Sequence, residues 1–161
     1  MGTWMNDDGL YIKFGRDRGI TKKAGEFEDF DKGNEHYIEA QLDLDVLGTS
    51  TGTVFLSDTL RIPGDAYLLK AELFVATAFT SGGSATLTLG LYDTDRSTAY
   101  DADGIDATIA VAALTAGATI TNDGALIKTR LANDTPCLLT ATVGTAAFTA
   151  GKGFLRIWYK V

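Results

Sequence analysis

The sequence predicts an all-β fold, an antiparallel β-sandwich of jelly-roll-like form preceded by an extended N-terminal arm. Three observations carry this. Short stretches of apolar and polar alternation recur from His36 onward, as in Leu87, Leu89 and Leu91 with Thr86, Thr88 and Gly90 between them, the period-two pattern of a strand with one buried face. Turn residues divide these stretches at short intervals, and only one has the composition of a helix, which favours two packed antiparallel sheets, with a closed barrel as the competing closure. Threonine fills many outward positions, where its β-branch suits a pleated, solvated surface.

A chain of 161 residues, 45% of them hydrophobic, fits one domain and can bury a core without disulfides or metals. Its formal net charge of −7 argues against a nucleic-acid partner, which selects a basic stripe. No apolar run approaches the roughly 18 residues needed to cross a bilayer, so no membrane segment is expected. The start, MGTWMNDDGLYIKF, lacks the basic region and apolar stretch of a secretory signal. Cys137 is the single cysteine and has no internal disulfide partner, in keeping with a reducing compartment such as a cytoplasm.

Taken in order, residues 1–35 stand apart as an extended arm. They set Lys13, Arg16, Arg18, Lys22, Lys23 and Lys32 against Asp7, Asp8, Asp17, Glu26, Glu28, Asp29, Asp31 and Glu35, too charged a segment to bury much of itself. Only Gly9 to Phe14 alternates like a strand. A surface loop folded back on its own domain is the alternative reading of the arm. The sandwich domain is expected over residues 36–161. Its first strand sets Ile38, Ala40, Leu42 and Leu44 against Glu39, Gln41 and Asp43. Short strands follow at Thr53–Leu56 and Thr59–Ile62, and Pro63-Gly64-Asp65 forms a turn.

A long strand from Tyr67 to about Thr77 then meets Leu87–Leu91 through Ser81-Gly82-Gly83-Ser84, read as a hairpin turn with positive-φ glycines. Phe74 falls on the outer face of that long strand and calls for cover by a loop or a neighbouring subunit. The loop Asp93–Asp106 precedes the one expected helix, Asp106–Leu114, where alanine dominates and Asp103 or Asp106 can cap. Further strands are expected at Ala116–Thr121, Ala125–Leu131 and Pro136–Val143. The last, Phe154–Val161, turns Leu155, Ile157 and Tyr159 one way and Phe154, Arg156, Trp158 and Lys160 the other.

The aspartates Asp93, Asp95, Asp101, Asp103 and Asp106 form the candidate cation site, since D-x-D spacing gathers oxygen ligands. The pattern departs from a calcium loop: Arg96 interrupts it and no glutamate follows. Asx-turns, or a salt bridge of Asp95 with Arg96, are the structural alternative, and no metal is expected. With one histidine, His36, and one cysteine, zinc sites and Cys/His pairs are short of groups. No G-x-S-x-G, P-loop, H-E-x-x-H or C-x-x-C occurs. No catalytic residue and no cofactor are therefore assigned.

The segments MGTWMNDDGLYIKFG, TSGGSATLTLGLYDTDRST and AAFTAGKGFLRIWYKV resemble the small structural proteins of tailed-phage virions, in particular capsid cement or decoration proteins. The resemblance implies a non-enzymatic β protein on the outer capsid surface, assembled in the host cytoplasm, with the major capsid protein as partner and a homotrimer as the working form. It does not separate a capsid cement protein from a neck or tail component. Trp4, Tyr11 and Phe14 are then the expected apolar anchors of the arm, and Arg16, Arg18, Lys22 and Lys23 its charged contacts. Phe74 and Trp158 are the expected contacts on the strands. A carbohydrate-binding β-sandwich module, with surface aromatics stacking on sugars and the aspartate loop holding calcium, is the alternative from another class.

Overall fold

A computed structural model of the chain describes the backbone of residues 3–5 and 11–13 and the whole of residues 35–161. The first two segments, β1 (Thr3–Met5) and β2 (Tyr11–Lys13), pair antiparallel with Trp4 opposite Ile12. They belong to a unit spanning Met1–Lys32, distinct from the unit Gly33–Val161. Of the strand expected over Gly9–Phe14, Tyr11–Lys13 is extended; Gly9, Leu10 and Phe14 lie outside the described residues.

The larger unit is built from two antiparallel sheets. One runs β3 (His36–Asp43), β11 (Phe148–Lys160), β6 (Tyr67–Ser81), β9 (Thr119–Asn122). The other runs β4 (Gly52–Phe55), β10 (Cys137–Gly144), β7 (Thr86–Asp93), β8 (Ala99–Ala110), with β5 (Arg61–Ile62) also on β10. Alternation places the core between them. Leu42, Leu73, Leu155 and Ile157 from the first sheet and Leu87, Leu89, Leu91 and Leu139 from the second are buried in one cluster. Each such leucine contributes about 1.5–3 kcal/mol relative to exposure.

Among the described residues helix is confined to α1 (Leu44–Leu47) and a 3₁₀ turn at Val111–Ala113. Leu44 was expected to prolong β3. Instead Asp43 ends the strand and caps α1, accepting from the Val46 amide at 3.1 Å.

The sheets correct several expectations. β6 and β7 do not form a hairpin: they lie in different sheets, and Gly82–Ala85 is a corner between them. Both present leucines to the same core, and alternation reveals a buried face without revealing which strand is bonded alongside. Neither Gly82 nor Gly83 has positive φ; the corner is tied by Ser81, whose hydroxyl donates to the Ala147 carbonyl at 2.7 Å and accepts from the Gly83 amide. Of the helix expected over Asp106–Leu114, residues as far as Ala110 are the end of β8, where Ile109 lies opposite Leu87 and Ala110 opposite Thr86, and Val111–Ala113 is the 3₁₀ turn. Burial of Ile109 against the sheet overrides the helix preference of alanine.

Only Thr94–Thr98 remains a loop in the stretch expected to be one from Asp93 to Asp106. The expected strand Ala125–Leu131 is a run of turns, with Leu126 N–H on the Gly104 carbonyl and Lys128 at φ 64°. Its apolar residues pack on β8 and the core from a turn, so their spacing was not a strand period. At Gly117 the backbone takes φ 82°, so the strand expected from Ala116 begins at Thr119. Ser57 holds the Thr59 and Leu60 amides, which delays β5 to Arg61. The C-terminal strand has the faces expected and begins earlier, at Phe148.

Candidate docking surface on the four-stranded sheet

Residues directly opposite in an antiparallel pair share a face, so the outer surface of the β3–β11–β6–β9 sheet follows from its register. Tyr37, Trp158 and Lys70 form one row; Glu39, Arg156, Glu72 and Thr121 the next; Gln41, Phe154, Phe74 and Thr119 the third. Two aromatic rows thus flank a charged one. Phe74 is 45% exposed and Tyr37 61%, large values for aromatic residues on the middle and side of a sheet.

Within the charged row Arg156 pairs with Glu39, whereas Glu72 meets Lys70 of the neighbouring row. Arg156 donates through Nε to Glu39 Oε2 at 3.0 Å and through a terminal nitrogen to the same oxygen. The Glu39 carboxylate beside it holds the guanidinium pKa above its usual range. Lys70 Nζ lies 3.9 Å from the centre of the Trp158 ring and 3.6 Å from Glu72. The Tyr37 and Trp158 rings are 6.4 Å apart, with the Arg156 guanidinium 5.4 Å from one and 5.7 Å from the other. Cation–π contacts of this kind hold the cations against ring faces that remain at the surface. Between the rows Glu39, Glu72, Phe74, Thr119, Phe154, Arg156 and Trp158 line a groove of about 420 Å³.

The outer face of the other sheet differs. There Thr53, Thr142 and Thr88 stand in line, the first two hydroxyls 2.8 Å apart. Towards its other end Leu138 and Thr140 are buried although they point away from the core. Beside them Tyr92 and Phe55 meet edge to face at 5.6 Å, and Arg96 lies over Phe55. That face supplies its own cover; the aromatic rows of the first do not.

Of the expected contact residues, Phe74 and Trp158 come together on this one surface. The arm residues Trp4, Tyr11, Phe14, Arg16, Arg18, Lys22 and Lys23 fall outside the residues whose side chains are described. Tyr37, Glu39, Glu72, Phe154 and Arg156 were not singled out from the sequence. The alternation of the last strand already placed Phe154 and Arg156 beside Trp158, but nothing in the chain order announced that β3 and β6 would flank it.

The aspartates serve as separate acceptors. Asp95 takes the Ser97 and Thr98 amides and hydroxyls, bonds that hold its carboxyl well below the usual range. Asp93 accepts from Asn133 Nδ2 at 2.7 Å, Asp101 from the Asp103 amide and Asp106 from the Thr108 amide. Among the described residues no three His, Cys, Asp or Glu side chains converge as metal ligands. Arg96 pairs with Asp58 and not with Asp95, because Asp95 turns inward to its own loop amides. Cys137 is buried, and burial pushes its thiol pKa up, the opposite of what an active nucleophile needs. His36 sits 5.6 Å from the Tyr159 ring.

No protein-family model and no curated protein sequence matches the chain. Solved structures share its fold. A chain of the cyanophage Pam1 capsid asymmetric unit aligns with TM-score 0.56 and 16% identity, covering 89% of this chain and 99% of that one. One from the capsid of Ralstonia phage GP4 aligns with TM-score 0.53 and 15% identity over 89% and 93%. Another, from the acidic stable capsid structure of Helicobacter pylori bacteriophage KHP30, aligns with TM-score 0.53 and 15% identity over 81% and 90%.

Proposed function

We propose that this chain is a bacteriophage capsid cement, or decoration, protein, which binds the outside of the shell as an oligomer and stabilises it. Its partners are the major capsid protein and further copies of itself, the working form is a homotrimer, and its role is structural and not catalytic. The observation that carries this reading is a fold shared over nearly the whole length of chains from three phage capsids. The open aromatic surface around Phe74 and Trp158 supports it, since such residues dominate binding energy once a partner excludes water from them.

The mechanism is multivalent. A groove lined by seven described residues on one copy is a small contact beside the roughly 20–30 residues a side of a stable interface. Three copies held together make the second and third contacts effectively intramolecular, so that a symmetric shell site is bound far more tightly than by one copy. Residues 1–35, the charged arm, add contacts on the shell or on a neighbouring copy through Trp4, Tyr11, Phe14, Arg16, Arg18, Lys22 and Lys23.

The test is binding of the full chain to capsids that lack it. Saturable co-sedimentation is expected, with antibody label spread over the shell and a rise in the temperature at which the shell ruptures. Label confined to the neck or tail would overturn the shell assignment, and absence of any capsid binding would overturn the reading as a whole.

A further inference from the structure

The groove between the aromatic rows is short of donors. Arg156, the one cation in its lining among the described residues, already commits Nε and a terminal nitrogen to Glu39. Glu72 lies across the groove floor with its side chain one-third exposed, and among the described residues no hydrogen bond reaches its carboxylate. Its nearest cation, Lys70, is 3.6 Å away and drawn over the Trp158 ring at the rim. Within the lining Glu39 and Glu72 face one guanidinium beside the exposed ring of Phe74, while Lys70 meets Glu72 from the rim and Lys152 Nζ lies 5.7 Å from the centre of the Phe154 ring. Aromatic faces attract cations, a carboxylate takes them with charge-assisted bonds, and a chain of net charge −7 steers a positively charged partner towards itself.

We propose that this groove takes an arginine or lysine side chain of the protein on which the sheet docks, with its charged head on Glu72 and its stem against Phe74 and Phe154. The inference rests on reading this surface as a docking face, and it specifies the group received there. Arginine suits the site better than lysine, because its planar guanidinium can lie against a ring while its edge donates to a carboxylate. Lys70 acts as the occupant's competitor and leaves Glu72 when the partner's cation arrives.

The experiment is a titration of the full-length chain, without capsids, by the blocked tripeptide acetyl-Gly-Arg-Gly-amide, followed through backbone amide and Trp158 indole resonances. Saturable shifts are expected at Thr119, Thr121 and Trp158, and no comparable shifts with acetyl-Gly-Glu-Gly-amide or acetyl-Gly-Leu-Gly-amide. Glu72→Gln, with its spectrum otherwise native, is expected to weaken the arginine peptide about fivefold or more, and Lys70→Gln to strengthen it by about twofold or more. Equal response to the leucine peptide, an unchanged affinity in Glu72→Gln, or shifts of the same resonances by maltotriose in place of the arginine peptide would overturn the inference. Because no capsid takes part, failure here on a chain that still coats capsids would remove the cation inference alone.

Discussion

Gly90 lies against the backbone of Ala102: a β-carbon at position 90 would come 2.2 Å from the Ala102 carbonyl oxygen. The approach arises because β8 spends the five steps from Asp101 to Asp106 against the two from Leu89 to Leu91 in β7, and the surplus residues arch over the outer face of the sheet at that glycine. The arch is clamped by the Gly124 and Leu126 amides on the Ile105 and Gly104 carbonyls. Gly90→Ala is therefore expected to destabilise the chain by about 1–3 kcal/mol or more, read as a lower urea midpoint. A midpoint unchanged from the parent chain would show that the arch is free to lift.

That arch also marks where the sequence stopped being legible. Leu87, Leu89 and Leu91 announce a strand and its buried face from their spacing alone, and so do Leu155, Ile157 and Tyr159. The fold class follows from such pieces. The partner of each strand does not, because the link from β6 to β7 reads as a hairpin although it joins different sheets, and because Ala99–Ala110 reads as loop and then helix although it is one irregular strand. The docking surface was half legible: Phe74 and Trp158 stood out as aromatics at polar positions, whereas Tyr37, Glu39 and Glu72 acquire meaning only from the register that sets them beside β11.

The buried Asp106 carboxyl makes stability depend on pH in a direction opposite to the common one. Burial, with a smaller contribution from the charge of Asp123, raises its pKa above the unfolded value of about 3.9. The folded chain thus holds that proton more tightly, so the ionised form costs stability at neutral pH and the cost is relieved as pH falls through the folded pKa. Asp101 acts in the same sense, through burial and its neighbour Asp103. Stability is expected to rise as pH falls from 7 through the raised pKa values of Asp106 and Asp101, then to decline below about 3.9, where Asp95 of the unfolded chain takes up a proton that the folded carboxylate, held by Ser97 and Thr98, does not. Asp106→Asn is expected to raise the urea midpoint at pH 7 and to flatten the rise; a steeper rise in the variant would refute the assignment.

Leu73 and Leu155 are opposite each other in β6 and β11 and both fully buried. Leu155→Ala is expected to cost about 2–5 kcal/mol, lowering the melting temperature by roughly 2–4 °C for each kcal/mol in a chain of this size. A loss below about 1 kcal/mol would mean that the two sheets do not close over this pair.

Cys137 is fully buried, with its sulfur 3.3 Å from Asn133 Nδ2 and its thiol pKa raised by burial. Ellman's reagent at pH 8 is expected to leave it unmodified in the native chain and to react fully once urea unfolds it. Rapid native modification would place the thiol at the surface and contradict the closed second sheet.

The affinity of a Phe74→Asp variant for capsids tests the docking surface most directly, with Thr53→Asp on the outer face of the other sheet as a control of equal charge. If the β3–β11–β6–β9 face is the one that meets the shell, Phe74→Asp lowers affinity at least tenfold, as loss of a central aromatic anchor does, and Thr53→Asp stays within about twofold of the parent chain. Parental affinity in Phe74→Asp, or an equal loss in Thr53→Asp, would contradict it.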